Sequence, residues 1–422
     1  LRHRNYRLFL SGQSLSMIGT WMQRIAVGWL VYRLTDSAFL LGVVGFTGQI
    51  PTFFLAPVAG VLADRHSRHH ILIGTQVLAM VQALLLALLV LSDLVEIWHI
   101  IVLSIILGMI RAFEMPTRQS FMVEMVADRN DLSNAIALNS TMVNAARMLG
   151  PSAAGIVIAA AGEGICFLVN AISFVAVILS LLLMRIEPRH VPQRRSKLWQ
   201  ELKEGFGYAA GSPPIRDVLL LFALVNLVGM PYIVLMPVFA RDVLHGGPSV
   251  FGYLVGGAGL GALGGAVYLA SRESVRGLVK RIPMAVTLFG SALMLLAVSR
   301  VMFLSLGLML LIGLGQMVLM AGSNTLLQTV VDDDKRGRVM SFFAMAFMGA
   351  TPVGSLVAGS LASRIGAPWT VFTGGMGCVA GALFFFSRLP RLRKLIRPYY
   401  REKRTPPEVA IGIQNASELA RR

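Results

Sequence analysis

Apolar stretches of about twenty residues or more alternate with short charged or Gly/Pro-containing breaks along the chain. A bilayer core about 30 Å thick needs about 20 apolar residues per crossing helix, at 1.5 Å rise per residue. Read between the breaks, the pattern predicts twelve spans at 8–32, 38–63, 71–92, 97–118, 133–160, 164–184, 217–240, 250–270, 282–299, 302–328, 338–362 and 367–387. The longest stretch between spans lies near the middle and divides them six and six. The expected architecture is an all-α integral membrane protein of twelve transmembrane helices: an N-terminal six-helix half (1–186), a cytoplasmic linker (187–214), a C-terminal six-helix half (215–388) and a basic cytoplasmic tail (389–422). The basic Leu1–Arg7 leads into an apolar stretch too long for a signal peptide, so span 1 is expected to be retained.

Composition agrees with a membrane protein. Of the 422 residues 55% are hydrophobic and 14% charged, against about 25% charged in soluble domains. The net charge of +17 would suggest nucleic acid in a soluble protein, but its placement points to topology instead. Only Arg33, Arg241, Arg300 and Arg364 fall on one side of the map and Arg24, Arg111 and Arg147 within spans; the rest of the 38 Lys and Arg fall on the other side. The positive-inside rule makes that side cytoplasmic, with both termini, in the inner membrane. The even span count follows. Nucleic acid is not an expected partner; membrane lipid is. In the linker, Leu198, Trp199, Leu202 and Phe206 recur at helical spacing among basic residues, as in an amphipathic helix lying on the inner membrane face. Cys166 and Cys378 lie inside apolar runs and read as small buried hydrophobes.

The midway linker prompts a search for an internal repeat. Leu62–Ser67 matches Leu269–Ser274 at four of six positions, each after its half's second span, and Pro151 and Pro352 sit in Gly-containing stretches of the fifth spans. After span 2, Gly60, Asp64, Arg65 and Arg68 fit the pattern GxxxDRxGR, with Ser67 where that pattern has Gly. A small residue permits close approach of a helix, and a carboxylate with arginines can latch two helix ends. On these residues the chain resembles the major facilitator superfamily, whose cytoplasmic signature this is; the resemblance implies two pseudo-symmetric six-helix halves and a cytoplasmic gate at these four positions. Gly150, Pro151 and Gly155 in span 5 resemble the GP-containing motif of the superfamily's antiporters. Physically they mark a place to bend or to pack closely. The opening Ser14–Leu41, with Trp21–Arg24 and Leu34–Ser37, and Pro116–Ser120 are similar to the branch containing macrolide-efflux and enterobactin-export proteins. That resemblance implies proton-coupled export of a small molecule.

Charge within a span costs roughly 2.5–3.5 kcal/mol on insertion scales, so intramembrane ionisable groups are functional candidates. Arg147 shares a helix face with Ser140, Asn144 and Pro151; Gln13, Thr20 and Arg24 form a stripe on span 1. Each arginine has an alternative role in holding helices together. Arg111, Glu114 and Arg118 stack on one face of span 4, as a helix-stabilising ladder or as proton-handling groups. Glu114 is the carboxylate placed within a span and the first proton-coupling candidate; Asp36, just outside span 1, is the second. The C-terminal half offers amides, Asn226, Gln316, Asn324 and Gln328. Arg24, Asn144, Arg147, Asn226, Gln316 and Asn324 are the expected substrate-cavity residues. Arginines with few carboxylates favour anionic or neutral amphiphilic substrates.

Gly259–Gly264 reads GxGxxG but lies inside an apolar span, not between a strand and a helix, so tight helix packing explains it better than a dinucleotide. The sequence has no GxxxxGK[ST], hence no ATP loop of its own. Its seven histidines fall in loops or at span edges, which argues against an enzyme. No cofactor or metal is expected. The expectation is a monomeric secondary transporter exporting a small amphiphilic, drug- or siderophore-like compound by proton antiport with alternating access. Its alternatives are lysolipid or lipid transport, facilitated uniport and a non-transporting membrane sensor.

Overall fold

In the computed structural model, eleven helices among the described residues are long and apolar enough to cross a bilayer. The structure describes residues 4–125, 131–184, 198–272, 277–332 and 335–402, without the side chains of 61, 63–65, 123, 124, 132, 133, 198–203, 205 and 396–402. The twelfth crossing is α1 (Arg4–Thr35), whose 32 residues are ample in length. What lowers its apolarity is a set of polar residues turned into the protein: Gln13, Ser16 and Gln23 are all buried.

By contact clustering the chain forms two units. The first holds Leu1–Gln193, Val234–Gly256 and Ser355–Ser363. Its helices are α1, α2 (Ala38–Thr47), α3 (Ile50–Arg65), α4 (Arg68–Leu91), α5 (Ile97–Glu124), α6 (Leu132–Ala161) and α7 (Glu163–Leu182). Span 2 is thus two helices where one was expected. The break falls at Gly48 and Gln49, just before Pro51, and a Cβ on Gly108 would meet the Gly48 carbonyl at 2.9 Å. Within this unit α1 packs on α6 and α7, α4 on α5 and α7, and α3 on α5. One end is sealed by Tyr6, Phe9, Leu72, Phe121, Val177 and Leu181, with Tyr6 Oη donating to the Ala135 carbonyl at 2.7 Å.

The second unit holds Arg194–Ile233, Gly257–Gly354 and Arg364–Arg422. It contains α8 (Leu198–Gly211), α9 (Pro213–Leu224), most of α10 (Pro248–Ala270), α11 (Leu278–Val298), α12 (Met302–Val330), most of α13 (Arg336–Ile365) and α14 (Ala367–Glu402). Here α11 packs on α12 and α14, and α9 on α14. These are the counterparts of α4 on α5 and α7, and of α1 on α7, in the first unit, so the repeat seen in sequence recurs as a repeat of packing.

Three further elements differ from expectation. Span 7 is not one straight helix over 217–240. After α9 the chain makes a π turn (Val225–Gly229), a 3-10 stretch (Met230–Leu235), a short α segment (Met236–Val238) and a second π turn (Phe239–Val243). Pro231 and Pro237 each remove a donor from the ladder, which forces the departure. The described part of the linker packs against helices of the second unit. Tyr208 Oη donates to Asp332 at 2.9 Å, Arg338 donates to Glu204 at 2.8 Å, and the Phe206 ring lies 6.2 Å from that of Phe342. The linker's Trp199 and Leu202 side chains lie outside the described residues. Finally, α14 runs on to Glu402 with Leu389 and Leu392 buried, so the last span carries no break at 387. Beyond 402 the tail lies outside the described residues.

Candidate functional site

Among α1, α4, α5 and α7 of the first unit lies a cavity of about 190 Å³. Its walls are mixed. Met17, Ile110, Met115 and Phe174 supply apolar surface; Gln13, Ser16, Thr20 and Gln23 line it from α1, Thr75 and Gln76 from α4, and Asn170 from α7. The charged groups that line it, among the described residues, are Arg111, Glu114 and Arg118, all from α5. Positions i, i+3 and i+7 place the three on one helix face, as the sequence implied. Arg118 Nε meets Glu114 Oε1 at 2.7 Å, and the two side chains are only 14% and 18% exposed. Two arginines against one carboxylate leave the lining one positive charge in excess.

Hydrogen bonding divides the amides of this unit into two groups. From the cavity wall inward to Gln82 and Leu103, Asn170 Nδ2 donates to Gln23 Oε1 at 2.5 Å, Gln23 Nε2 to Gln82 Oε1 at 2.9 Å and Gln82 Nε2 to the Leu103 carbonyl at 3.3 Å. Ser173 Oγ completes the chain on Asn170 Oδ1 at 3.2 Å. Gln13 and Gln76 differ. Both are 5% exposed or less, yet the side-chain oxygen of each is buried without a partner among the described residues. A buried acceptor left unmatched costs about 1–3 kcal/mol, so these two oxygens call for a donor inside the cavity.

A second polar cluster joins α1, the turn after it, α7 and the Phe239–Val243 turn, all within the first unit. Arg33 holds the buried Glu163 through Nε at 2.7 Å and Nη2 at 3.3 Å. Arg241 donates to Asp36 at 2.5 Å and lies over the Tyr32 ring, while Tyr32 Oη donates to Asp242. Asp36 adopts φ +49°, the left-handed turn that starts α2. Its pairing is open to solvent, with Asp36 68% and Arg241 42% exposed, and exposed pairs contribute about 0–1 kcal/mol. Asp36→Asn is therefore expected to shift the thermal unfolding midpoint by no more than about 4 °C, as scanning fluorimetry of purified protein would register.

A family described as transmembrane secretion effectors, a branch of the major facilitator superfamily, matches residues 1–417. The chain belongs to this family. As a major facilitator protein it is a multi-pass membrane transporter and not an enzyme. Similar relatives include the staphyloferrin A transporter of Staphylococcus aureus, 26% identical over 92% of this chain and 97% of that one. Macrolide efflux protein A of Streptococcus pyogenes is 20% identical over 86% and 91%. Among solved structures, the nucleoside transporter NupG has the same fold, with a TM-score of 0.72 at 13% identity over 92% of this chain and 99% of that one. The resemblance to the branch with macrolide exporters is thereby borne out.

The remaining sequence candidates of this transporter fall in several places. Arg24 is exposed, 5.3 Å from the Trp21 ring centre, and does not line the cavity. Asn144 donates to the Ser140 carbonyl at 2.9 Å, and Arg147 is half-buried one turn later. In the second unit Asn226 sits in the first π turn, donates to the Phe222 carbonyl at 2.7 Å and accepts from Thr351; Gln316 is buried, and Asn324 accepts from Gln328 at 2.8 Å. Among the gate residues, Arg68 opens α4, and a Cβ on Gly60 would meet no described atom within 4 Å, so the close approach expected at Gly60 is absent among the described residues. The side chains of Asp64 and Arg65 lie outside the described residues. In the antiporter-like motif, a Cβ on Gly150 would meet Trp21 Cβ at 2.5 Å, and one on Gly155 the Pro248 carbonyl at 2.8 Å. Both glycines permit close packing around Pro151 in an otherwise continuous helix. The sequence reading passed over Thr75, Gln76 and Asn170. Their signal was an amide or hydroxyl inside an apolar span, weaker than a charge and easily assigned to helix association.

Proposed function

We propose that this transporter exports a small amphiphilic compound across the inner membrane in exchange for protons, by alternating access of two six-helix halves, as a monomer with both termini cytoplasmic. The observation that carries the coupling is Glu114: a carboxylate inside a transmembrane unit, facing a polar cavity and paired with Arg118. Such a group changes its attraction to two arginines when it takes up a proton, which gives the proton a lever on the structure. Asp36 is the rival carrier. The dominance of arginine over carboxylate in the spans favours an anionic or neutral substrate, and the names of the relatives, a staphyloferrin A transporter and a macrolide efflux protein, support a small-molecule cargo.

The cavity around Glu114 is smaller than the roughly 300–1,000 Å³ of sites that enclose drug-sized ligands. Substrate contact is accordingly assigned to the candidates outside it: Arg24, Asn144 and Arg147 on α1 and α6, with Asn226, Gln316 and Asn324. The cytoplasmic gate is assigned to Gly60, Asp64, Arg65 and Arg68, and the flexing point of span 5 to Gly150, Pro151 and Gly155.

Efflux of dyes, macrolides and catecholate siderophores from cells expressing the chain, with and without a protonophore, tests the reading. Protonophore-sensitive efflux that Arg147→Ala abolishes, with expression unchanged, is the expected outcome. Efflux that ignores the protonophore would replace antiport by uniport. No efflux of any compound from well-expressed protein would favour lipid transport or a sensor.

A further inference from the structure

The cavity in the first unit poses a chemical requirement that the protein itself leaves unmet. The oxygens of Gln13 and Gln76 need hydrogen-bond donors. The guanidinium groups of Arg111 and Arg118 need acceptors beyond the one carboxylate between them, since arginine carries five N–H donors. A single kind of occupant must therefore donate to amide oxygens and accept from arginine within the same small space. Water does both. One water needs about 10–15 Å³ of cavity space, so a cavity of 190 Å³ has room for several, and the hydroxyls of Ser16, Thr20 and Thr75 offer further partners around it.

We propose that this cavity is a hydrated proton compartment, separate from the substrate site, in which water held by Gln13 and Gln76 carries protons to and from Glu114. The inference rests on the reading of Glu114 as proton carrier and adds the route. Protonated Glu114 passes its proton to an adjacent water, that water passes one on, and the restored carboxylate re-forms its pair with Arg118; no net charge is created or lost. The groups facing Glu114 from the packed helices fit this role. Those on α1, α4 and α7 that line the cavity are neutral hydroxyls and amides, and the charges are Arg111 and Arg118 on α5 itself, among the described residues. Water therefore meets a single carboxylate there, among the described residues. Gln23 and Asn170 in the cavity wall belong instead to the matched chain Ser173–Asn170–Gln23–Gln82, whose members bond one another within the protein, which leaves Gln13 and Gln76 as the amides that hold the water.

Two measurements on purified, full-length protein in lipid nanodiscs test the proposal without a substrate. Radiolytic hydroxyl-radical footprinting marks side chains beside ordered water. Phe174, 6% exposed, and Met17 should oxidise about tenfold faster than Phe289 and Met309, which are 0% exposed and lie away from the cavity. In Gln13→Leu/Gln76→Leu the excess should fall to the level of those controls. Dicyclohexylcarbodiimide, which attacks protonated carboxyls, should label Glu114 faster as the bulk pH falls. Oxidation of Phe174 and Met17 no faster than the controls, or labelling of Glu114 indifferent to bulk pH, would overturn the proposal even if the double variant fails to fold. Both arms positive alongside efflux that ignores a protonophore would uphold the hydrated compartment and refute only coupled export.

Discussion

Glu114→Gln is expected to abolish export driven by a pH gradient while leaving exchange of substrate across the membrane without net proton movement. The substitution is nearly isosteric and keeps an acceptor for Arg118, but removes the proton site and adds a second uncompensated positive charge to the cavity lining. If Glu114 served only as a rung in a helix-stabilising ladder, the neutral variant would transport normally in whatever fraction folds. The measurement is made in proteoliposomes loaded with whichever panel compound the cells export. Uptake against an imposed pH gradient is read beside counterflow at equal pH. Loss of both in Glu114→Gln would make the residue structural, and loss of gradient-driven uptake in Asp36→Asn alone would move the proton to Asp36.

The largest effect on folding is expected from Gly313→Val. A Cβ at Gly313 would lie 1.9 Å from the Ala258 carbonyl oxygen, and one at Gly261 the same distance from that of Leu310. The obstacle is backbone on both sides of the α10–α12 crossing, so no rotamer change relieves it. The helices must separate by well over an ångström, losing the dispersion contacts that hold them in lipid. Overpacking in cores costs about 1–3 kcal/mol when side chains can yield; a backbone clash belongs at or above the top of that range. Fluorescence-detected size exclusion should show Gly313→Val aggregated or poorly expressed, whereas Gly307→Val, where a Cβ meets no described atom within 4 Å, should run as wild type. A monodisperse Gly313→Val would show that this crossing tolerates separation.

Twelve crossings, their order and the six-plus-six division could be read from apolar run lengths, because lipid demands about twenty apolar residues whatever the rest of the structure does. Departures came where backbone geometry outweighs hydropathy. Pro231 and Pro237 are apolar and pass unnoticed in a hydropathy reading, yet they interrupt the α-helix of span 7. The polar face of α1 pulled that helix below the apolarity of the others because its Gln13 and Gln23 face protein, not lipid. At the site, the charge ladder of Arg111, Glu114 and Arg118 was legible because 3.6 residues per turn fixes one face. The partners on other helices were not, since nothing in the sequence says that Gln76 meets the same cavity as Gln13. The linker's contacts through Glu204 and Tyr208 depended on tertiary partners more than a hundred residues away.

The tightly wound 3-10 stretch of span 7 has a mechanical meaning. A 3-10 coil rises about 2.0 Å per residue and turns about 120°, against 1.5 Å and 100° for an α-helix. Relaxing the six residues Met230–Leu235 into α form would draw the segment beyond them about 3 Å along the axis and rotate it by about a third of a turn. Span 7 is in this sense a screw: a change of pitch over a few residues converts directly into coupled translation and rotation of the Arg241–Asp242 end, with no bond in the chain broken.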